Sequence, residues 1–264
     1  MTILEKIIAN KIKEVAELKK YVTLKDLEKS RHFPLQPVSL SESLSDRERS
    51  GIIAEFKRMS PSKGIINSGV NVQDVTTGYS REGASGLSVL TDKKFFGGSV
   101  DDLLLVRDHN SIPILRKDFI IDEFQVVESK AAGADVILLI AAALKKSEVS
   151  RFASLSRSLG MEVILEVHSA SELEAINEHI DIIGVNNRDL KTFNTDINLS
   201  VEMVDMIPGE FCKISESGIL LPSTVKYLRQ NGYDGFLIGE LFMASNDPVA
   251  SFSDFVREIS CDYA

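Results

Sequence analysis

The 264-residue sequence predicts an α/β protein, a closed (β/α)8 TIM barrel with an N-terminal helical extension. Eight short apolar runs rich in Ile, Val and Leu alternate with longer amphipathic stretches, which is the pattern of repeated βα units. The runs begin 20 to 34 residues apart, which leaves room for a helix and two loops in each parallel crossover. Polar side chains collect at the C-terminal ends of several runs, where barrel enzymes place their active sites.

The predicted strands are nearly all apolar, as expected for strands that are buried on both faces. They cover residues 52–57, 86–91, 112–117, 135–141, 162–167, 182–187, 212–217 and 235–240. An open doubly wound sheet is the alternative architecture. The barrel is favoured because eight units fit a domain of about 250 residues, and because no GxGxxG sequence follows the first strand.

The N-terminal segment 1–21 is predicted to form an amphipathic helix that lies on the protein's own surface. Its apolar residues recur at helical spacing, at Ile3, Leu4, Ile7, Ile8, Ile12, Val15 and Leu18. Binding of this helix to a membrane or partner is the less favoured alternative. We expect one domain over 1–264, with 1–50 as the extension and 51–264 as the barrel.

Two local sequences predict how later helices begin. The sequence SASE at 169–172 predicts a capping box, in which the serine and glutamate side chains bond to the backbone of the first turn. Asp247 followed by Pro248 predicts an N-cap and a first-turn proline for the last helix.

Acidic residues outnumber basic residues by 39 to 30, which gives a formal net charge of −9. Such a chain repels a phosphate backbone unless a basic stripe compensates, and the sequence shows no such stripe. Cys212 and Cys261 form no CxxC pair, and the four histidines lack the spacing of zinc ligands. We therefore expect a cytoplasmic protein with no metal and no nucleic-acid or membrane partner.

The strand ends carry an unusual set of charged side chains. Glu55 and Lys57 are two residues apart and must point the same way, while Phe56 points to the opposite face. Strand alternation then directs Glu55 and Lys57 to the barrel mouth. If they share that orientation, four residues from other strands converge there: Lys117, Glu166, Asn186 and Glu216. A structural ion-pair network is the alternative, because buried charges are costly unless they are paired.

Lysines and glutamates packed together are expected to shift their pKa values toward neutrality, which would supply a general acid and a general base. Proton transfer is therefore the predicted chemistry. Metal catalysis is disfavoured because the carboxylates lack neighbouring histidines or a DxD spacing.

Glycines after the last two strands, Gly218 and Gly239, predict a phosphate site, which barrels often build there. A short helix over 240–244 would place its N-terminus at the same anion. The loop 58–64 is long and polar, and it fits either a mobile lid or a solvated basic loop. Phe96 and Phe119 fit either the core or the flanks of a planar ligand, and His168 receives no role.

At these residues the sequence resembles the indole-3-glycerol-phosphate synthase family along nearly the whole chain. The matching blocks are IAEFKRMSPSKG at 53–64, LTDKKFFGGS at 90–99, PILRKDF at 113–119, LEVH at 165–168, GVNNRDL at 184–190, ISESG at 214–218 and FLIGE at 236–240. The resemblance implies conversion of 1-(2-carboxyphenylamino)-1-deoxyribulose 5-phosphate to indole-3-glycerol phosphate, carbon dioxide and water, without a cofactor.

The resemblance also implies roles for the polar residues. Lys117 would act as general acid on the ketone oxygen, and Glu166 would exchange a proton during dehydration. Lys57 would contact the substrate carboxylate or phosphate and share the acid role. Glu55 and Glu216 would orient the lysines and the substrate hydroxyls. Further polar contacts with the substrate are implied for Asn186, Arg188, Ser217 and Ser60.

An apolar slot for the aromatic ring is implied at Phe96, Phe119 and Leu138. The phosphate would rest on Gly218, Gly239 and the backbone N–H of Glu240. Some family members have serine at position 240, and a glutamate there would repel phosphate unless its side chain turned away. The chain also lacks the tryptophan that some members carry near the N-terminus, so the sequence leaves open which extension residue covers the substrate.

Two alternative functions remain at this point. Phosphoribosylanthranilate isomerase, a phosphate-binding barrel, is expected to carry a cysteine base at the end of its first strand. Here that strand ends in Glu55, Phe56 and Lys57, and Cys212 begins the seventh strand at the opposite end of the barrel. A catalytically silent barrel that binds a phosphorylated metabolite is the other alternative, because fold alone does not fix function.

Overall fold

The computed structural model describes residues 1–46 and 48–260 of the chain. Eight parallel strands form a closed barrel: β1 Ile52–Phe56, β2 Gly86–Leu90, β3 Ile114–Lys117, β4 Val136–Ile140, β5 Glu162–Val167, β6 Ile182–Asn186, β7 Cys212–Glu216 and β8 Gly235–Ile238. Each strand pairs with its neighbours in sequence, and β1 pairs with β8, with Ile52 opposite Phe236. The predicted barrel is confirmed, and the open doubly wound sheet is wrong because the ring closes.

Among the described residues, three helices precede β1, and the others follow the strands around the outside of the ring. The helices are α1 Ile3–Leu18, α2 Leu24–Leu27, α3 Leu40–Ser45, α4 Val72–Arg81, α5 Lys93–Phe96, α6 Val100–His109, α7 Glu123–Ala131, α8 Lys146–Ser158, α9 Asn198–Met203, α10 Pro222–Gln230, α11 Glu240–Met243 and α12 Pro248–Ser260. Short 3-10 helices occur at Ala141–Ala143, Ala170–Ala175 and Val204–Met206. Within 1–46 and 48–260, every helix falls short of the length or apolar character that crossing a membrane requires.

The core has two layers that follow from strand alternation. Phe56 packs outward with the helices, in the same cluster as Tyr79 and Phe252. Ile53 packs inside the barrel with Leu115 and other aliphatic side chains. The expected opposite orientations of Phe56 and Glu55 are therefore confirmed, since Glu55 lines the cavity inside the mouth.

The extension closes the N-terminal end of the barrel through α3. Glu162 at the start of β5 accepts hydrogen bonds from the backbone N–H of Leu40 (2.7 Å) and the hydroxyl of Ser39 (2.6 Å). Leu40 and Leu44 insert into the barrel, where a Cβ at Gly86 or Gly235 would lie 2.7 Å from their methyl carbons. Ligands therefore reach the interior from the opposite end.

The predicted N-terminal helix is confirmed and packs against the mouth of the barrel. Thr2 and Glu5 form a capping box at its start. Ile7 and Val15 are buried, but Ile12 is exposed, so the apolar stripe is narrower than its spacing predicts. Lys11 is also buried, because its ammonium group pairs with Asp92 and Asp118 beyond β2 and β3.

The two predicted helix starts have different outcomes. Asp247 caps α12, since its Oδ1 accepts the N–H of Ala250 at 3.0 Å. The capping box at 169–172 is wrong, because a 3-10 helix forms there and the Ser169 side chain makes no cap bond. The Glu172 carboxylate instead accepts the backbone N–H of His168 at 2.8 Å, one residue earlier than the box requires. Cys261 lies outside the described residues.

Candidate active site

A cavity of about 150 Å³ opens at the C-terminal mouth of the barrel. Every barrel strand contributes to its wall, and so do the α1 residues Ile3, Leu4 and Ile7. Most of the predicted site residues line it together: Glu55, Lys57, Ser60, Phe96, Lys117, Phe119, Leu138, Glu166, Asn186, Arg188, Glu216, Ser217 and Glu240. Gly218 and Gly239 lie in an adjoining depression. The structure thus brings the predicted set to one place.

The charged residues Lys117, Glu166 and Glu216 line the cavity together and are named here the polar floor. Lys117 lies at its centre. Its Nζ is 2.7 Å from Glu166 Oε2 and 3.3 Å from Glu216 Oε2. Both carboxylates are 2% exposed, so little water screens these charges. The lysine and the two glutamates come from β3, β5 and β7, which explains why no local sequence pattern pairs them.

The pKa values of this trio are set by burial and by mutual charge. Burial acts to lower the pKa of Lys117, but the charges of Glu166 and Glu216 outweigh it and hold the pKa above its usual range. Burial acts to raise the pKa of Glu166, but Lys117 and His168 outweigh it and hold the pKa below its usual range. Burial raises the pKa of Glu216 to about 7.

The expectation that the lysines shift toward neutrality is therefore wrong for Lys117. Two carboxylates surround one ammonium group, so the cation is stabilised despite its burial. Glu216 shifts toward neutrality instead, because the negative charges of Glu166 and Glu55 add to its burial and Lys117 compensates only in part. Within this trio, the pKa that moves toward neutrality therefore belongs to a carboxyl group rather than to the lysine.

A pH-dependent gain in stability is expected for Glu216→Gln. The Glu216 pKa is 4.5 in the unfolded reference and about 7 in the fold, so the folded state binds this proton more tightly. The contribution of Glu216 to wild-type stability therefore falls as pH rises between these values. We compare the free energies of unfolding of the variant and of wild type at each pH. We expect their difference to change by about 1–3 kcal/mol in favour of the variant between about pH 5 and about pH 8.

Urea unfolding at several pH values measures this difference, with Glu210→Gln as a control at an exposed surface position. A constant difference between Glu216→Gln and wild type across the pH range would show that the Glu216 pKa is not raised.

Glu55 and Lys57 form a second ion pair, with Lys57 Nζ 2.7 Å from Glu55 Oε1. The hydroxyl of Ser88 donates to the other oxygen of Glu55 at 3.3 Å. Gly239 makes room for this carboxylate, since a Cβ there would lie 2.7 Å from both the Cβ and Oε1 of Glu55. A glycine predicted for phosphate binding thus also positions a member of the charged set.

Gly239→Ala is expected to displace Glu55 and weaken both its ion pair and the adjoining binding surface. We expect kcat/KM to fall about ten-fold or more and the free energy of unfolding to drop by about 1–3 kcal/mol, as for overpacked cores. Steady-state kinetics and urea unfolding check this, with Gly209→Ala as control because a Cβ there meets no atom within 4 Å. Equal effects of the two substitutions would contradict the packing argument.

One wall of the cavity is apolar. The Phe96 and Phe119 rings are 5.9 Å apart between centroids, and Leu138 lines the same cavity. The α1 residues Ile3 and Leu4 belong to the same lining. The contribution of these extension residues was not predicted, because an amphipathic pattern does not show which surface a helix covers.

The adjoining depression, named here the rim depression, is lined by Gly218, Gly239, Glu240, Lys63 and Arg188. It shares Glu240 and Arg188 with the main cavity, so the two spaces form one continuous site.

The turn beside the rim depression has an unusual backbone conformation. Ser217 has φ of 68° and Gly218 has φ of 76°, both in the left-handed region. A serine in that region is strained, and such strain tends to occur at functional sites.

The Glu240 carboxylate does not turn away from the site, a question that the sequence left open. It pairs with Arg188 Nη2 (3.3 Å) and Lys63 Nζ (3.5 Å) and lines both spaces. Lys63 belongs to the loop after β1, which folds as a small antiparallel hairpin of Met59–Ser60 and Gly64–Ile65. The neighbouring cations therefore offset the charge that would repel a phosphate. Motion of this loop stays a prediction.

His168 is a further member of the site that sequence analysis left without a role. Its side chain is 10% exposed, and its ring lies between Glu166 and Glu172. His168 lies two residues after Glu166, and this spacing was the one sequence feature that could have predicted a place in the site. However, His168 lies beyond the end of β5, where side-chain direction does not follow strand alternation.

Comparison with known proteins places this geometry in a family. The family model for indole-3-glycerol phosphate synthase matches residues 4–255. The chain belongs to the indole-3-glycerol phosphate synthase family. A Bacteroides thetaiotaomicron indole-3-glycerol phosphate synthase is 46% identical over 97% of this chain and 98% of its own length. The corresponding protein of Bordetella pertussis is 39% identical over 93% and 95%.

Enzymes of the indole-3-glycerol phosphate synthase family act on a small phosphorylated substrate. The alternative of phosphoribosylanthranilate isomerase is not favoured. Cys212 begins β7 and therefore lies at the end of the barrel opposite the mouth. Burial also raises the pKa of its thiol above the usual range, which disfavours the thiolate that a cysteine base needs.

Proposed function

We propose that this protein is an indole-3-glycerol phosphate synthase, a carboxy-lyase of tryptophan biosynthesis. It converts 1-(2-carboxyphenylamino)-1-deoxyribulose 5-phosphate to indole-3-glycerol phosphate, carbon dioxide and water. The observation that carries the proposal is the buried contact of Lys117 with Glu166 and Glu216. This contact lies between the apolar wall of the cavity and the rim depression, where Lys63 and Arg188 supply positive charge. Membership in the family supports the same conclusion.

The proposed binding mode follows from the two ends of the site. The aromatic ring lies against Phe96, Phe119 and Leu138, where burial of apolar surface stabilises it. The phosphate lies in the rim depression, near Gly218, Gly239 and the backbone N–H of Glu240. Lys57 and Arg188 line both spaces and supply positive charge for the substrate carboxylate and phosphate. Ser60, Asn186 and Ser217 are the proposed neutral polar contacts.

In the proposed first step, Lys117 gives a proton to the ketone oxygen of the substrate. Its raised pKa keeps it protonated at neutral pH, so the acid is available before the substrate arrives. The aromatic carbon that bears the carboxylate then bonds to the ketone carbon, whose oxygen becomes a hydroxyl group. Carbon dioxide leaves, and the electron pair of the broken bond restores the aromatic ring.

Dehydration follows in the proposed mechanism. Glu166 is held as a carboxylate by Lys117 and His168, so it is ready to accept the proton lost from the carbon beside the ring nitrogen. The hydroxyl receives a second proton and leaves as water, and Lys57 is the second lysine of the cavity that can supply it. Glu55 and Glu216 orient the two lysines through their ion pairs.

The proposal includes action without a metal or other cofactor, in the cytoplasm, with no nucleic-acid or membrane partner. The net charge of −9 supports the expectation about nucleic acid. The side chains of the cavity support the expectation about cofactors, because a lysine or glutamate there can perform each proposed proton transfer.

The direct test is a time course of the purified protein with the carboxyphenylamino-deoxyribulose phosphate, following the fluorescence of the indole product. We expect product formation that survives EDTA and falls about 100-fold or more in Glu166→Gln. Glu210→Gln, at an exposed position, is the matched control. Tight substrate binding without product would instead favour a silent barrel, and loss of activity with EDTA would contradict the metal-free mechanism.

A further inference from the structure

The ring of His168 bridges two carboxylates at the edge of the polar floor. Its Nε2 lies 3.4 Å from Glu166 Oε1, and its Nδ1 lies 3.5 Å from Glu172 Oε2. The same Glu172 oxygen accepts the backbone N–H of His168 at 2.8 Å, which fixes Glu172 beside the ring. Both ring nitrogens are buried and have no hydrogen-bond partner among the described residues, and each faces a carboxylate at ion-pair distance.

Glu166 therefore has a different cation at each of its oxygens. Lys117 contacts Oε2 at 2.7 Å, and His168 faces Oε1. The charged groups that act on His168 are Glu166, Glu172 and Glu216, together with Lys117 across the Glu166 carboxylate. Burial acts to lower the pKa of His168, but these carboxylates outweigh it and the pKa is raised. The fold thus stabilises the imidazolium form more than water does.

We propose that His168 is a positioning residue that holds the Glu166 carboxylate in place, and that Glu172 aligns the His168 ring. This inference rests on the proposed function, because it assigns Glu166 a proton transfer. The chemical reason for this role is that Lys117 changes its charge during the reaction. When Lys117 gives up its proton it loses its positive charge, and its ion pair with Glu166 weakens. This happens just before Glu166 accepts a proton in the proposed dehydration. The imidazolium group of His168 still faces the other oxygen of Glu166, Oε1.

The kinetic test compares His168→Ala, His168→Gln and Glu172→Gln. We expect His168→Ala to lower kcat about 10- to 100-fold, as for other orienting partners, with KM changed by less than about three-fold. The amide N–H of His168→Gln can replace Nε2 as donor, so we expect partial recovery of kcat. Glu172→Gln is expected to have a smaller effect in the same direction.

The pH profile separates positioning from a merely structural role. Removing a cation beside Glu166 raises its pKa, so the acidic limb of the kcat profile in His168→Ala should move to higher pH. His179→Gln is the control, since His179 lies outside the cavity lining. An unchanged acidic limb, or a loss confined to KM or to thermal stability, would overturn the proposal.

An NMR titration of the His168 imidazole tests the same pairing without turnover. The resonance is assigned by its disappearance in His168→Gln. We expect the His168 pKa to fall in Glu166→Gln and in Glu172→Gln relative to wild type. An unchanged pKa in Glu166→Gln would overturn the inference. If wild type formed no indole product, the proposed function would fail, and this titration would still decide the His168–Glu166 pairing.

Discussion

Replacing Lys117 with methionine is expected to lower kcat for indole formation by about 10²- to 10⁴-fold. Lys117 lies within 3.3 Å of both Glu166 and Glu216, and it is the proposed acid for ring closure. Methionine keeps much of the side-chain volume but removes both the proton and the charge. Substrate affinity should fall far less, because the apolar wall and the rim depression remain.

Single-turnover kinetics and equilibrium binding measure the two effects separately. Lys117→Arg is a second useful variant, because it keeps a charge but changes its geometry and cannot act as an acid near neutral pH. We expect little recovery of kcat in that variant. Lys25→Met, at an exposed position of α2, is the control. Equal losses of turnover and affinity in Lys117→Met would contradict the general-acid role.

Lys11→Met is expected to lower the free energy of unfolding by about 3 kcal/mol, the range measured when a buried ion pair loses one partner. Lys11 is 5% exposed, and its Nζ lies 2.9 Å from Asp92 and 3.0 Å from Asp118. Both aspartates are buried. They would remain near each other without this cation, although Arg116 still pairs with Asp118.

The same substitution should raise KM, because Lys11 fixes the helix that supplies Ile3, Leu4 and Ile7 to the cavity wall. Urea unfolding and steady-state kinetics measure the two effects. Lys13→Met is the matched control on the same helix, at an exposed position. A loss in Lys11→Met no larger than that of Lys13→Met would show that the buried pairs do not fix α1.

The barrel and the strand-end residues were predictable because parallel strands have strong local signals. Apolar runs at regular spacing define the strands, and a period of two residues places Glu55 and Lys57 on one face. The contacts of Lys11 were not predictable in this way. They join the first helix to the ends of β2 and β3 and depend on how the extension packs.

The incorrect predictions have different physical causes, and the first depends on neighbours that are distant in sequence. The pKa of Lys117 is raised because two carboxylates converge on it from other strands. The position of the Glu240 carboxylate, which the sequence left open, likewise depends on contacts with the distant residues Lys63 and Arg188. In the failed capping box, Glu172 accepts the N–H of His168, which lies before the predicted helix.

The central claim is that one continuous site binds the aromatic ring, the reacting centre and the phosphate of the substrate together. A crystal structure of Glu166→Gln with the carboxyphenylamino-deoxyribulose phosphate tests it most directly. We expect the ring against Phe96 and Phe119, the ketone oxygen within hydrogen-bond distance of Lys117 Nζ, and the phosphate in the rim depression beside Gly218. A phosphate bound elsewhere, or a ketone oxygen out of reach of Lys117, would contradict the account.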